Sequence, residues 1–276
     1  MEGYAYYNGK IGRCSDISIP LSDRLIYFGD GVYDVMIGHS EKLFLADEHI
    51  ERLFYGIKTL NMQFSLSKEQ ILSLVNLLIT ISGYDSYLIY ISVSRGASER
   101  KHSYINCSAT NLLITIKKFS FSNCIPLNLI TLQDDRYDYC NIKTVNLLPS
   151  VIAATKAEIS GCDEAVFVKN GIVTECARSN IFILKQGKLI THPLSSAILP
   201  GIIRNYLIKT AAVFEIPVAE REFSIDEMLD ADEVIVTSTT KMIAEAKSID
   251  GIPVGGRNPS LLAKMKTALL NSYQNI

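Results

Sequence analysis

Residues 140–157, CNIKTVNLLPSVIAATKA, constrain this chain more than any other stretch. The run carries Lys143 near the end of an expected strand, then a short turn, then an apolar helix. Pro149 suits the first turn of that helix and Gly161 its C-terminal stop. A lysine at such a junction is held between sheet and helix, so the fold needs both. Burial disfavours a charged amine, and the expectation is that the pKa of Lys143 falls and a neutral nucleophile becomes available. An imine-forming lysine has that requirement. Most lysines are solvated surface charges, so the stretch alone leaves both roles open.

A chain of 276 residues is long enough for two ordinary domains and a substantial core. With 27 basic and 29 acidic residues the net charge is −2, and no basic cluster stands out, so neither nucleic acid nor another polyanion is an expected partner. The longest apolar run, around 71–81, contains Ser73 and Asn76 and is too short to span a membrane. The opening MEGYAYYNGK lacks a basic region followed by an apolar one, so no signal peptide is expected. Six cysteines are scattered without a CxxC pair, which fits free thiols in a reducing cytoplasm and neither a disulfide frame nor a metal site.

In the first half, NGK at 8–10 reads as a hairpin turn. FGDGVYD echoes a glycine-rich nucleotide loop, but Gly29 and Gly31 lead into a strand, so no helix N-terminus is there to receive a phosphate. The glycines are instead expected to allow a tight backbone course that aims Tyr33. A helix capped by Asp47 places His49, Arg52 and Leu53 on one face. Arg52 there either pairs with a carboxylate or receives an anion. SKEQ at 67–70 has the form of a capping box opening an apolar helix. YLIYISVS and NLLITIKKF read as partner strands around the loop RGASERKHSY. Arg100 and His102 in that loop are either solvated or hold a carboxylate by charge-assisted hydrogen bonds.

FSFSNCIPLN breaks the alternation and is the expected inter-domain linker, giving domains at 1–117 and 125–276 joined through 118–124. In the second half, strands turn at Asn170-Gly171 and Gln186-Gly187. Glu175 lies within an apolar strand and needs a partner, because an unpaired buried carboxylate is costly. Pro200-Gly201 precedes an apolar helix whose free N–H groups make either a plain helix start or an anion site. Four hydroxyl residues, Thr237 to Thr240, close a buried strand and either cap a turn or bind phosphate oxygens.

A candidate imine lysine, a buried carboxylate and three possible phosphate donors form a set: Lys143, Glu175, and Arg52 with the Gly201 helix start and Ser238/Thr239. Pyridoxal phosphate requires an amine for its aldehyde, a carboxylate for its ring nitrogen and a cradle for its phosphate. The ordered motifs FGDGVYD, EHIERL, SRGASERKH, IKTVNLL, GCDEAV, VTECARSNIF, THP, ILPGIIR and VTSTT span nearly the whole chain. In these the sequence resembles the class IV, fold type IV pyridoxal-phosphate aminotransferases, and within them the bacterial D-amino-acid transaminases.

The resemblance implies a two-domain α/β enzyme of the α+β type, with a smaller N-terminal domain and a larger C-terminal domain built on a mixed, barrel-like sheet. It assigns Lys143 as the Schiff-base lysine and proton shuttle, and Glu175 as the ionised partner of the pyridine nitrogen. Arg52, Gly201, Ile202, Ile203, Ser238 and Thr239 become phosphate ligands. Tyr33, Arg100 and His102 become the trap for the substrate α-carboxylate. In the family the arginine and histidine come from the adjoining subunit, which implies a homodimer acting on amino acids and 2-oxo acids. Branched-chain aminotransferases and aminodeoxychorismate lyases are similar around the lysine and glutamate but do not usually carry the R-x-H loop. Three positions depart from the pattern. Ile203 replaces a threonine, Arg178 a small serine, and Asp34 a glutamate.

Overall fold

The computed structural model describes residues 3–107, 109–121 and 125–276. The chain forms two compact units: Met1–Ser120 with Ile142–Asn146, and Phe121–Asn141 with Leu147–Ile276. Of the linker expected at 118–124, residues 122–124 lie outside the described residues.

The first unit opens with the hairpin β1 (Tyr4–Tyr7) and β2 (Lys10–Arg13). Its turn residues Asn8 and Gly9 sit at φ 44° and 91°, as a two-residue hairpin turn demands. There follow α1 (Arg24–Phe28), β3 (Gly31–His39), β4 (Lys42–Leu43), α2 (Ala46–Thr59), α3 (Lys68–Ser82), β5 (Ser86–Ser94) and β6 (Asn111–Lys118). The strands make an antiparallel sheet in the order β2-β1-β6-β5-β3-β4. Met36, Ile89, Ile91 and Ile114 from the sheet pack with Ile50 and Leu53 of α2 and with Ile71, Val75 and Leu78 of α3 in one core. The capping box forms as the sequence reads: Ser67 Oγ accepts from Gln70 N and Gln70 Oε1 from Ser67 N. Asp47 is not a cap. Leu45, at φ 52°, occupies that position, and Asp47 lies within the first turn, where it meets the helix dipole and pairs with Lys68 at 2.8 Å.

The second unit runs through β7 (Leu127–Gln133), α4 (Leu148–Ile159), β8 (Glu164–Lys169), β9 (Ile172–Cys176), β10 (Asn180–Lys185), β11 (Lys188–Thr191) and α5 (Ile202–Val213). It continues with β12 (Val218–Glu220), α6 (Ile225–Leu229), β13 (Glu233–Ser238), β14 (Met242–Ile249), β15 (Ile252–Pro253) and α7 (Pro259–Gln274). Its strands form a curled mixed sheet in the order β12-β11-β10-β13-β14-β7-β8-β9, with β15 on β14. The pairs β7–β8, β7–β14 and β11–β12 are parallel. The central strands β8, β10 and β13 are buried almost throughout, which is why they read as continuous apolar runs and not as alternation. Both expected turns, Asn170-Gly171 and Gln186-Gly187, carry two positive φ angles each.

Lys143 does not end a strand. Its segment makes a single bridge, Thr144 to Val32, and is otherwise irregular. Although residues 125–276 read as one domain, Ile142–Asn146 groups with the first unit. The cause is local: Tyr33 N donates to Lys143 O at 2.9 Å, Val145 N to Gly31 O at 3.2 Å, and Ile142 enters the first unit's core. Among the described residues no helix is long and apolar enough to cross a membrane.

Candidate active site

In the first unit the candidate residues gather on and beside β3. Gly29 ends α1 in the left-handed region at φ 58°, and a Cβ there would lie 2.8 Å from Asn146 Oδ1. Its bare backbone lets the Asn146 amide reach Gly29 O at 2.8 Å, which fastens the lysine segment to the start of β3. Tyr33 and Asp34 then point to opposite faces of the strand. On one side the half-buried Lys143 places Nζ 4.5 Å from the centre of the Tyr33 ring, a cation–π distance.

On the other side Asp34, fully buried, accepts from Arg52 Nε at 2.8 Å and Nη2 at 2.9 Å. It also meets His49 Nδ1 at 2.7 Å. Arg52 therefore does pair with a carboxylate, and the unexplained aspartate of the sequence is its partner. Burial raises the Asp34 carboxyl, but the Arg52 charge and the His49 hydrogen bond outweigh it and hold it well below the usual carboxylate range. For His49, burial outweighs the opposing pull of Asp34 and lowers the imidazole's pKa. A carboxylate only accepts, so neutral His49 carries its proton on Nδ1. Its Nε2 is buried and has no hydrogen-bond partner among the described residues.

Arg100 and His102 are exposed on the loop after β5. The Arg100 guanidinium lies 5.7 and 5.8 Å from the Tyr27 and Phe28 rings, and the His102 ring 5.3 Å from Phe28.

In the second unit Glu175 is buried and is held from both sides. Oε1 accepts from Arg136 Nη1 at 2.5 Å, while Oε2 accepts from Asn180 Nδ2 at 2.9 Å and Leu199 N at 3.1 Å. Asn180 also donates to Leu199 O, and its Oδ1 would stand 1.9 Å from a Cβ at residue 201. Only glycine lets the start of α5 approach so closely. Gly201 is the N-cap and provides no side-chain cap to the 12-residue helix, so its first N–H groups await acceptors. Ile203 is 1 % exposed, and its side chain belongs to the core. Ser238 ends β13, where its Oγ accepts from Lys241 N at 3.3 Å, and Thr239 follows in the turn.

Sequence reasoning missed Arg136. It links Glu175 to Asp134, donating to Asp134 Oδ1 from Nε at 2.9 Å and to Oδ2 from Nη2 at 2.8 Å, and stacks over Phe167 at 4.3 Å. Burial lowers the Arg136 pKa, but the two carboxylates more than reverse this; they hold the guanidinium firmly charged. Its one signal was Glu175, a carboxylate within an apolar strand, whose partner lies 39 residues away. Arg178, which departs from the family pattern, turns its guanidinium to Asp163 O at 3.3 Å and Glu164 Oε1 at 3.5 Å. Cys140, near Lys143 in sequence, is no competing nucleophile, because burial, with Glu175 and Asp134, pushes its thiol up to about 11 despite Arg136.

The family model for amino-transferase class IV matches residues 31–249. The D-alanine aminotransferase of Bacillus licheniformis is 34% identical over 270 residues, 96% of this chain and 95% of that one. That of Listeria monocytogenes serotype 4b (strain F2365) is 33% identical over 269 residues, 94% and 92% of the two chains. Among solved structures, the branched-chain amino acid aminotransferase of Escherichia coli superposes with a TM-score of 0.89 at 24% identity, covering 99% of this chain and 95% of that one. A putative 4-amino-4-deoxychorismate lyase from Legionella pneumophila gives 0.87 at 25% identity, with 94% and 97% covered. The fold is thus that of the fold type IV enzymes, and the chain belongs to the class IV aminotransferases.

Proposed function

We propose that this enzyme moves the amino group of a D-amino acid to a 2-oxo acid, using pyridoxal 5'-phosphate, as a cytoplasmic homodimer. The reading is carried by the loop presenting Arg100 and His102 in a chain 34% identical to a D-alanine aminotransferase over nearly its full length. The donor set fits the cofactor: an amine at Lys143, a buried carboxylate at Glu175, and an uncapped helix start at Gly201. Lys143 would anchor the aldehyde and Glu175 the ring nitrogen. Arg52, the backbone of Gly201, Ile202 and Ile203, and the hydroxyls of Ser238 and Thr239 would hold the phosphate. With Ile203 buried, position 203 serves through its N–H alone. When bound, the cofactor supplies an electron sink for charge developing at the donor's α-carbon.

The remaining work falls to the protein. Lys143 Nζ takes the α-proton of the donor and returns a proton when the acceptor is converted. The Tyr33 ring lies 4.5 Å from Nζ and packs against the amine. Glu175, in its acceptor-only carboxylate form, is fixed in orientation by Arg136, Asn180 and Leu199. Arg100, His102 and Tyr33 bind the α-carboxylate, and in a homodimer the first two would serve the neighbouring subunit's site.

Steady-state assays of D-alanine, L-alanine and L-leucine against 2-oxoglutarate and pyruvate test the proposal. D-alanine should be the preferred donor. Strong preference for L-leucine would defeat the D-specific reading, and no turnover of any donor would defeat the transfer itself.

A further inference from the structure

The loop that bears Arg100 and His102 is exposed, yet its backbone at residues 101 and 102 is held by one buried side chain. Arg24, the first residue of α1, is 3 % exposed. Its Nη1 donates to Lys101 O at 2.6 Å and its Nη2 to His102 O at 3.0 Å, so one planar guanidinium spans two successive carbonyls of the loop. Nε donates to Asp30 Oδ2 at 2.8 Å, which fixes the plane of the group. The same carboxylate takes Arg95 Nε at 2.9 Å, and Arg95 donates onward to Leu60 O at 2.9 Å and Asn61 O at 3.3 Å.

The loop's base is therefore pinned through Arg95, through Arg24 N to Gly96 O and through Ser98 N to Ser22 O. At 101–102 the backbone carbonyls are held by Arg24. The helix that begins with Arg24 also supplies Phe28, against which the His102 ring rests, so anchor and platform move as one element.

We propose that Arg24 is the positioning residue of the carboxylate trap: by holding the carbonyls of residues 101 and 102 it fixes where Arg100 and His102 present their donors. Asp30 sets the orientation of Arg24. This inference rests on the reading that Arg100 and His102 bind the substrate carboxylate. Arg24 touches neither substrate nor cofactor in this role, so its loss weakens capture of donor and acceptor alike and leaves the proton transfer at Lys143 intact.

The test is steady-state kinetics on the purified holoenzyme with D-alanine and 2-oxoglutarate, for wild type, Arg24→Ala, Arg24→Lys, Arg100→Ala and the Arg24→Ala/Arg100→Ala double variant. Arg24→Ala should raise KM for both substrates about tenfold while kcat stays within about twofold, because binding common to ground and transition states is lost. Arg24→Lys keeps a charge beside Asp30 but cannot span two carbonyls. It should show the same rise, and it decides the matter if the alanine variant does not fold. In the Arg100→Ala background the Arg24 change should add clearly less than its roughly tenfold effect in wild type, because only the part that acts through His102 remains. Unchanged KM in Arg24→Lys, a fall in kcat at constant KM, or full additivity in the double variant overturns the role of Arg24. Wild-type KM values in Arg100→Ala would overturn the loop reading on which it rests.

Discussion

Each unit buries an arginine among carboxylates, and the two arrangements are complementary. In the first unit one carboxylate, Asp34, serves Arg52 and a neutral His49, so positive and negative charge balance and the cluster is rich in donors. In the second, Arg136 serves two carboxylates, Asp134 and Glu175, which leaves one negative charge in excess. A balanced, donor-rich group suits an anion. A cluster with a surplus carboxylate suits a cationic partner. Without that division of charge, the proposed assignment of phosphate to Arg52 and ring nitrogen to Glu175 would have no electrostatic basis.

The comparison breaks most visibly at Arg136. Arg136→Ala leaves Asp134 and Glu175 buried without their shared cation, and should destabilise the enzyme by about 3–5 kcal/mol. For a chain of this size that is a fall of about 10 °C in Tm, read by calorimetry. A loss below about 1 kcal/mol would mean the second cluster is not built on this arginine.

Glu175→Gln keeps the shape of that cluster and removes its surplus charge. The holoenzyme's kcat/KM should drop by at least about 100-fold, the scale of a lost acid–base or charge-stabilising group, and because the new amide NH2 must face Arg136 or the Asn180 and Leu199 donors, stability should fall by about 1–3 kcal/mol. Activity within a few fold of wild type would detach Glu175 from the chemistry.

Acid should act on the first cluster. The folded Asp34 carboxyl is held below its ordinary value near 4, so its stabilising contribution is fully present above about pH 4 and fades as pH falls towards its folded-state value. Asp34→Asn, which removes the charge facing Arg52 and sets an NH2 donor where one acceptor oxygen stood, should cost about 3 kcal/mol at pH 7. That gap from wild type should narrow in urea titrations below pH 4. A gap that stays constant from pH 7 to pH 3 would remove Asp34 as the group responsible.

The smallest effect is expected at Arg178, which is 62% exposed and pairs with a Glu164 already held by Lys241 at 3.0 Å. Arg178→Ser should change stability by less than about 1 kcal/mol, as exposed ion pairs do, with kcat/KM within about twofold. A larger kinetic change would make Arg178 a substrate contact and contradict its pairing with Glu164 as its whole role.

Local signals carried far in the sequence. The hairpin turns, the capping box at Ser67 and the helix start at Gly201 each rest on chemistry within four residues, and each is found in place. What escaped was set by partners distant in the chain. The role of Asp34 exists only once β3 and α2 bring it to Arg52, and that of Arg136 only once β9 delivers Glu175. Leu45 took a cap position in a left-handed conformation that no propensity favours, displacing Asp47 by two residues. The sequence around Lys143 reads as the end of a strand. Pairing with the edge of β3 through one bridge, and not a ladder, decided otherwise.

The central claim is that Lys143 carries the cofactor. Reduction of the holoenzyme with borohydride, followed by proteolysis and mass spectrometry, reads this directly. The expected result is a phosphopyridoxyl mass on the peptide containing Lys143 and on no other. A label on a different lysine, or an unlabelled Lys143 peptide from fully loaded enzyme, would contradict it.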